Sequence, residues 1–299
     1  MKHNKILSRL RTAKNTLMRK PWVSAVYLLL RIAVVVVLVA QFFNGNYENV
    51  FLCVLTLLLF LIPTILEKEL KIDFPDALEI IILLFIFAAE ILGEIRAFYI
   101  TYPGWDTLLH TLNGFLCAAI GFALVDMLNR DERFSLSLSP VYMAVVAFCF
   151  SMTIGVMWEF FECGMDHFLL KDMQKDTVVN QISTVMLDPD MANHTVVIKG
   201  ITDVILVTDQ GQIPLGLGGY LDIGLMDTMK DLAVNFVGAV VFSVIGFFYV
   251  KNRGRGKFAS SFIPKVVKEA APVEKPVETV DKPQYVDKNS KDETQDIGN

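Results

Sequence analysis

Long apolar stretches recur along the chain and are separated by short polar segments. A helix needs roughly 20 mainly apolar residues to cross the hydrocarbon core of a bilayer. Six stretches meet or approach that length, and they span residues 22–43, 50–66, 77–100, 107–128, 141–163 and 231–250. The pattern predicts an all-α membrane protein with a six-helix transmembrane bundle. Pro63 should bend or end the second helix, because proline removes a backbone donor and clashes with the preceding turn.

Basic residues flank these stretches on alternate sides, and this asymmetry predicts an orientation. Residues 1–20 carry seven Lys or Arg and no acidic residue, and further basic residues follow the second, fourth and sixth stretches. The segments 44–49 and 101–105 contain neither Lys nor Arg. Because cytoplasmic loops are enriched in Lys and Arg, we expect both termini to be cytoplasmic in a multi-pass protein of the cell membrane.

These patterns divide the chain into five parts. We expect a basic cytoplasmic segment at 1–21, five transmembrane helices within 22–163, an extracytoplasmic loop at 164–228, a sixth helix at 229–251 and a cytoplasmic tail at 252–299. Val, Ile and Thr are abundant around the DQG sequence of the loop, which is typical of a β-hairpin. The loop is therefore predicted to be a small β-rich extracytoplasmic insertion between helices five and six. The Pro/Lys/Glu-rich tail cannot bury a core and should be disordered.

The composition agrees with a membrane protein and excludes two other classes. Hydrophobic residues make up 54% of the chain, above the roughly 45–50% of ordinary soluble domains. The sequence has no basic, aromatic-rich surface typical of nucleic-acid binding. Its four cysteines contain no CxxC pair, so neither a zinc site nor a disulfide framework is indicated.

Ionisable residues within the predicted spans fall on particular helix faces. Each costs at least about 2.5–3.5 kcal/mol to insert at the centre of a membrane helix, so their positions carry information. The set comprises Asp106, His110 and Asn113 at the start of span four, Glu159, Glu162 and Asp166 at the end of span five, Asp227, Asp231 and Asn235 at the start of span six, and Glu90, Glu94 and Arg96 at the end of span three. The spacing places each of the first three groups on one helix face. The predicted orientation then places all four groups in one layer near the outer membrane face.

This layer could support two kinds of chemistry. One histidine among several carboxylates matches the ligands of a divalent metal ion, and the predicted ligands are Asp106, His110, Glu162 and Asp231. Carboxylates held close together cannot all ionise, which would place a general acid beside a general base. The predicted catalytic residues are then His110, Glu162, Asp231 and Glu159, with Asp106 orienting His110.

Structural roles are the alternative for several of these residues. Asp106 and Asp227 lie where N-caps are expected, since Asp is a common capping residue, and Lys230 is a nearby partner for Asp227. Arg31 lies in the middle of span one and needs a partner. We expect that partner to be Glu90, in which case the two residues form a structural ion pair.

Three motifs, in this order, resemble a known family. WDTLLHTLNGF, WEFFECGMD and DTMKDLAVNFVGA are similar to segments of the YjdF-type family of bacterial membrane proteins. The same order of polar positions resembles VanZ-like proteins more remotely, and the matching residues are Asp106, His110, Glu159, Glu162, Asp231, Asn235 and Gly238. Glu162 stands where the VanZ-like pattern more often has Gln. The resemblance implies a bacterial membrane protein with a site on spans four to six, and it implies no particular reaction.

Three classes of function follow. The first is a cell-membrane protein with an outward-facing acidic/His site, either metal-binding or acid–base, that acts on a lipid-linked or cell-wall substrate among membrane lipids. The second is a transporter or proton-relay protein, which the apolar inner halves of spans five and six disfavour. The third is a structural or partner-binding membrane protein whose carboxylates satisfy one another without catalysis.

Overall fold

Helices dominate the part of the chain that the computed structural model describes, which is residues 20–70, 72–130, 137–252, 254–263 and 265–266. Most of the predicted basic segment and most of the predicted tail lie outside these residues. The helices are α1 (Pro21–Phe43), α2 (Tyr47–Leu59), α3 (Ile62–Leu70), α4 (Asp76–Phe87), a π-helix (Ala88–Ile95), α5 (Phe98–Thr101), α6 (Trp105–Arg130), α7 (Pro140–Leu169), α8 (Leu225–Lys251) and α9 (Lys257–Ser260).

Five helical stretches of the described residues are long and apolar enough to cross a membrane. They are Pro21–Phe43, Tyr47–Glu69, Trp105–Asn129, Pro140–Leu169 and Leu225–Lys251. The mostly helical, membrane-type fold predicted from hydropathy is thus confirmed. The predicted stretch 77–100 forms α4 and then the π-helix, in which the Arg96 amide bonds the carbonyl of Ile91 five residues back. Ala97 then adopts a left-handed conformation that separates this helix from α5.

The second stretch is interrupted near Pro63, as its sequence predicts. α2 ends at Leu59 and α3 begins at Ile62. A proline ring excludes the carbonyl of the residue four positions earlier, which here is Leu59. The Leu61 amide instead bonds the Leu58 carbonyl at 2.9 Å, so the chain turns more tightly and resumes as α3.

α6, α7 and α8 form a tightly packed three-helix core. A Cβ atom added to Gly114 of α6 would lie 2.1 Å from the backbone oxygen of Asn235, and one added to Gly238 of α8 would lie 2.0 Å from that of Thr111. On α7, a Cβ at Gly155 would lie 2.7 Å from the side-chain nitrogen Nδ2 of Asn235. Small residues permit such close contact between membrane helices. Glycine therefore sets the distance between α6 and α8.

The remaining long helices pack beside this core. α1 packs on α2 and α4 through a cluster of buried apolar side chains. The members with the least exposure are Val34, Cys53, Phe60, Leu83 and Ile91. A second cluster, which includes Phe74 and Leu78, joins the start of α4 to Leu116 of α6. The two groups of helices thus meet along α4 and α6.

Lys20 joins three segments at one end of the bundle. Its ammonium group donates to Glu67 Oε1 at 2.9 Å, to the Phe74 carbonyl at 2.7 Å and to Glu79 Oε2 at 3.0 Å, and it lies 3.2 Å from Asp73 Oδ1. Partial burial acts to lower the pKa of Lys20, but the hydrogen bonds to Glu67 and Glu79 outweigh it and raise that pKa above its ordinary value. The ammonium group therefore stays charged at neutral pH and ties α1 to α3 and α4.

The same end of the bundle is closed by the chain that follows α8. Strand β1 (Ile72–Asp73) pairs antiparallel with β8 (Lys265–Val266). Ala259 and Ile263 are buried in the apolar cluster of the three-helix core. The first residues of the predicted tail therefore fold back against the bundle, and the rest of that tail lies outside the described residues.

The connection between α7 and α8 carries three small antiparallel sheets. The pairs are β2 (Val178–Val179) with β7 (Tyr220–Leu221), β3 (Gln181–Thr184) with β4 (Val196–Lys199), and β5 (Ile205–Thr208) with β6 (Gly211–Pro214). The predicted hairpin is β5–β6, joined by the two residues Asp209 and Gln210. The β3 partner of β4 was not predicted, since its sequence QIST has too few apolar residues to stand out from a loop.

The glycine contacts lead to a test of the core. Gly238→Ala should destabilise the protein by about 1–3 kcal/mol, the usual cost of overpacking, because the new Cβ would push against the backbone of α6. Gly164→Ala on α7 is the matched control, since its Cβ would meet its nearest heavy atom, in Phe168, only at 4.0 Å. Thermal unfolding in detergent should show a lower Tm for Gly238→Ala alone. Equal Tm values would contradict glycine-limited packing.

Candidate functional site

His110 lies at the centre of a polar cluster where α6 begins, α7 ends and α8 begins. Its Nε2 atom lies 3.4 Å from Asp106 Oδ1 and 3.6 Å from Asp231 Oδ2, and its Nδ1 atom lies 3.9 Å from Glu159 Oε1. Asp106 and His110 are one helical turn apart, so they occupy the same face of α6. Four of the residues predicted from sequence are therefore together, while their chemical roles stay predictions.

Two of these carboxylates are buried and incompletely paired. Asp231 is 1% exposed and Glu159 is 4% exposed. Asp231 Oδ1 and Glu159 Oε2 have no hydrogen-bond partner within the described part of the chain. Since buried polar atoms are normally hydrogen-bonded and an unpaired one costs free energy, these oxygens mark a place where a proton, a donor or a cation would be stabilised.

Lys230 supplies a positive charge at the edge of the cluster. Its ammonium nitrogen lies 3.0 Å from Asp106 Oδ2, 3.2 Å from Asp227 Oδ1 and 3.6 Å from Asp231 Oδ1. The sequence suggested the pairing with Asp227, but the contacts with Asp106 and Asp231 depend on how α6 meets α8. Asp106 is thus an ion-pair partner within the first turn of α6 and not its N-cap.

The capping role predicted for Asp227 is wrong as well. Asp227 accepts a hydrogen bond from the Lys175 amide at 2.9 Å. Asp222 instead accepts from the Met226 amide at 2.8 Å and from the Thr177 amide at 2.7 Å. Asp222 therefore caps the first turn of α8 and ties it to the preceding loop, a role that needs the folded connection and could not be inferred from spacing.

Glu162 lies apart from the cluster around His110. Its carboxylate accepts a hydrogen bond from Trp158 Nε1 at 2.8 Å, one helical turn earlier on α7. Among the described residues of this region, the set with ligand atoms within 4.8 Å of one another is Asp106, His110 and Asp231. Glu162 thus faces the site without belonging to that set.

A polar cavity of about 180 Å³ adjoins the cluster. Four carboxylate side chains line it, and only two lysines do. The acids are Glu94, Asp106, Glu162 and Asp227, the lysines are Lys175 and Lys230, and His110 completes the charged or titratable lining. The cavity is therefore acidic, which favours cationic or hydrogen-bond-donating ligands.

The predicted layer ends one turn below His110. Asn113 Nδ2 donates to Asn235 Oδ1 at 3.2 Å, and Asn235 Nδ2 lies 3.6 Å from Met152 Sδ. These amides bind each other and do not reach the His110 cluster. Asp166, predicted on the same face of α7, accepts from the Met173 and Gln174 amides. It therefore fixes the chain that leaves α7.

The predicted ion pair between Arg31 and Glu90 is wrong. The guanidinium carbon of Arg31 lies 4.2 Å from the ring centroid of Tyr27, one turn earlier on α1. Cation–π contact of this kind is a common alternative for arginine. Glu90 lies elsewhere and lines a second, largely apolar cavity of about 220 Å³.

A second group of potential metal ligands lies in the connection between α7 and α8. It consists of Asp188, Asp190 and His194. Asp188 accepts hydrogen bonds from the backbone amides of Asp190, Ala192 and His194. Those bonds, led by the one from His194, hold the pKa of Asp188 below its ordinary value. Its oxygens are already used to organise the loop, so this group is structural.

The buried carboxylate of Asp231 leads to a prediction about stability. In the presence of a chelator, Asp231→Asn should keep or raise the Tm, because it removes a buried and incompletely paired charge. Asn235→Leu should lower it, because it leaves Asn113 without its partner. A Tm several degrees lower for Asp231→Asn, measured by thermal unfolding, would mean that the carboxylate serves the fold.

Comparison with known proteins agrees with the membrane architecture. Residues 26–252 match a family model described as "Predicted membrane protein (DUF2238)", and this range includes every residue of the His110 cluster. No curated protein and no solved structure matched the chain. YjdF-type proteins are members of this family, so that resemblance is confirmed at the family level, while the VanZ-like resemblance stays a prediction. Since the match covers most of the sequence, the chain belongs to the DUF2238 family of predicted membrane proteins.

Proposed function

We propose that this protein is a bacterial cell-membrane protein whose outward-facing acidic/His site binds a divalent metal ion and acts on a lipid-linked or cell-wall substrate. The observation that carries this proposal is the cluster of Asp106, His110 and Asp231, which places an imidazole beside two carboxylates. One of those carboxylates, Asp231, is 1% exposed, with Oδ2 toward His110 and Oδ1 toward Lys230. A cation held between His110 and Oδ2 would offset the cost of burying that charge.

The three ligand atoms lie within 4.8 Å of one another, and the two separations that involve His110 suit a metal ion. His110 Nε2 lies 3.4 Å from Asp106 Oδ1 and 3.6 Å from Asp231 Oδ2. Ligands about 2.1 Å from a tetrahedral ion are separated by roughly 3.4 Å. Three protein ligands with a fourth position for water or substrate are typical of catalytic sites. Lys230 donates a hydrogen bond to the opposite oxygen of Asp106 and lies 3.6 Å from the opposite oxygen of Asp231, which leaves the other oxygen of each acid toward His110.

Glu159 and Glu162 supply the supporting groups. Glu159 lies 3.9 Å from His110 Nδ1, close to the position of carboxylates that orient metal-bound histidines through their second nitrogen. Glu162 lines the polar cavity and is held by Trp158. Because Glu162 faces the space where a substrate would lie, we assign it the role of general acid or base.

An acid–base site without metal is the second candidate. The position of Lys230 favours it, because one ammonium group already lies within 3.6 Å of both Asp106 and Asp231. A transport path has less support. Below the Asn113–Asn235 pair, the centre of the three-helix core is filled by apolar side chains that include Phe122 and Phe242.

We also propose six membrane crossings with both termini in the cytoplasm. α4 and the π-helix together form about 20 helical residues, enough to span roughly 30 Å. Lys20 contacts Glu67 and Glu79 at one end of the bundle, whereas Lys171 forms an ion pair with Glu48 near the other end. Together with the positive-inside rule, these contacts support a cytoplasmic position for the Lys20 end.

Metal binding has a direct test. Purified protein should contain a divalent ion. Added Mg²⁺, Mn²⁺ or Zn²⁺ should raise the Tm of metal-free protein, because an ion at a hundredfold excess over its Kd adds about 2.7 kcal/mol to the free energy of unfolding. His110→Ala and Asp231→Asn should lose both effects, as measured by elemental analysis and thermal unfolding. Glu162→Gln should keep the metal, because Glu162 lies outside the ligand set.

His167→Ala provides the control for the loss of a histidine. His167 is exposed and lies at the end of the same helix as Glu159, but outside the cluster. Its substitution should change neither metal content nor the response to added ions. If the wild-type protein contains no metal and none of the three ions changes its Tm, the metal site is contradicted. The acid–base site without metal then becomes the favoured candidate.

The topology can be tested by cysteine labelling in a background without the four native cysteines. On intact cells, an impermeant maleimide should label Gln210→Cys in the β5–β6 turn and should not label Ser8→Cys or Lys257→Cys. Both protected positions should react once the membrane is permeabilised. Five crossings would place Ser8 and Lys257 on opposite sides, so labelling of just one of these two would exclude the six-helix topology.

A further inference from the structure

The His110 cluster borders two cavities of opposite character. The polar cavity of about 180 Å³ lies on one side, and an apolar cavity of about 220 Å³ lies on the other. Tyr99, His110 and Trp158 line both. The two spaces are therefore neighbours, and a single molecule that reaches His110 could occupy both.

The apolar cavity is built mainly from hydrocarbon side chains. Leu59, Phe85, Ile86, Ala89 and Leu109 are five of its ten lining residues, and Glu90 and Asn113 are polar members of the other five. These residues come from α2, α4, the π-helix and α6, so the cavity lies where the two groups of helices meet. An empty cavity of this kind forfeits dispersion contacts, and apolar cavities exclude water. Hydrocarbon is the occupant that matches the apolar part of this lining.

The surroundings indicate where that hydrocarbon would come from. Leu84, next to Phe85 on α4, is 47% exposed, and Trp158 on α7 is 43% exposed. α7 is one of the helices that are long and apolar enough to cross a membrane, α4 is apolar beyond its first turn, and lipid chains are as apolar as leucine. Trp158 has its ring at both cavities and its indole N–H on Glu162. Such an amphipathic side chain is typical of the boundary between hydrocarbon and headgroup.

Charge selects the class of headgroup. Asp231 and Glu159 lie behind the four carboxylates of the polar cavity, and Lys175 and Lys230 are the lysines that oppose them. Counted as fully ionised, these six carboxylates and two lysines carry a formal charge of minus four. A divalent ion at His110 would reduce that charge to minus two. Complementary charge favours a cationic head and disfavours an anionic one.

We infer that the two cavities together bind one membrane lipid, with a hydrocarbon chain beside Ala89 and an amine-bearing headgroup beside His110 and Glu162. The inference rests on the proposed function and names its substrate class as an amine-headed lipid. The apolar cavity sets the position of the chain, and the polar cavity sets the headgroup preference. His110 lies at the junction, where the bonds that link head to chain would pass.

Cavity-filling variants test this directly. Ala89→Phe and Leu59→Trp fill the apolar cavity from different helices, and Leu84→Phe adds the same bulk on the exposed face of α4. Wild-type protein and Leu84→Phe should each retain about one phosphatidylethanolamine per chain after delipidation, by native mass spectrometry. Both cavity variants should bind phosphatidylethanolamine at least about tenfold more weakly, since losing contact with two methylene groups already has that effect on affinity, and should retain less of it than the wild type does. Unchanged metal content and Tm would establish that both variants fold.

The outcomes separate this inference from the proposed metal site. Retention of phosphatidylethanolamine by both cavity variants at the wild-type level would overturn the chain position. Equal retention of phosphatidylglycerol by the wild-type protein would overturn the headgroup assignment. Metal-free protein that still binds phosphatidylethanolamine in a manner sensitive to Ala89→Phe would overturn the metal site and support the lipid site. If the protein contains metal and both cavity variants keep the wild-type lipid content, the metal site is supported and the lipid site is overturned.

Discussion

The close approach of α6 and α8 is the constraint on which the site depends. Gly114 and Gly238 let the two backbones touch, and a Cβ at either position would lie about 2 Å from a carbonyl oxygen of the other helix. Asp231 lies one helical turn before Asn235 on α8. The close approach of α6 and α8 therefore also determines how near the Asp231 carboxylate lies to His110. Wider separation of these helices would leave the acids and the imidazole as unrelated buried charges, each at the full cost of desolvation.

This dependence explains why the sequence predicted the location of the site better than its internal contacts. Hydropathy and helical spacing were enough to bring Asp106, His110, Glu159 and Asp231 to one end of three helices, since those properties are local. Trp158 and Glu162 lie one turn apart on the same helix, but helical spacing alone does not show that they bind each other and not residues of neighbouring helices. The contacts of Lys230 with Asp106 and Asp231 require the interhelical distance, which no local pattern contains.

The structural roles predicted for Asp227 and Arg31 were wrong because they too depend on contacts between segments. A carboxylate near a helix start satisfies the sequence rule for an N-cap, yet Asp222 and not Asp227 has the geometry to accept from the first turn of α8. Arg31 had two apparent options, an acid on another helix or an aromatic ring one turn away. The nearer ring of Tyr27 prevailed, because a local contact does not require another helix to supply an acid at the same depth.

The pairing of Lys230 with Asp227 also bears on how the protein is made. The two residues are three positions apart on α8 and 3.2 Å apart in the fold, so the helix carries a counter-charge for its own acid before it meets α6. During biosynthesis this segment must leave the translocon and enter lipid with Asp227, Lys230 and Asp231 in its opening turns. An internal ion pair, together with the ability of lysine to extend toward the interface, lowers the barrier to that step. In the folded bundle the same lysine also lies 3.0 Å from Asp106, so one side chain compensates an acid on its own helix and an acid on the partner helix.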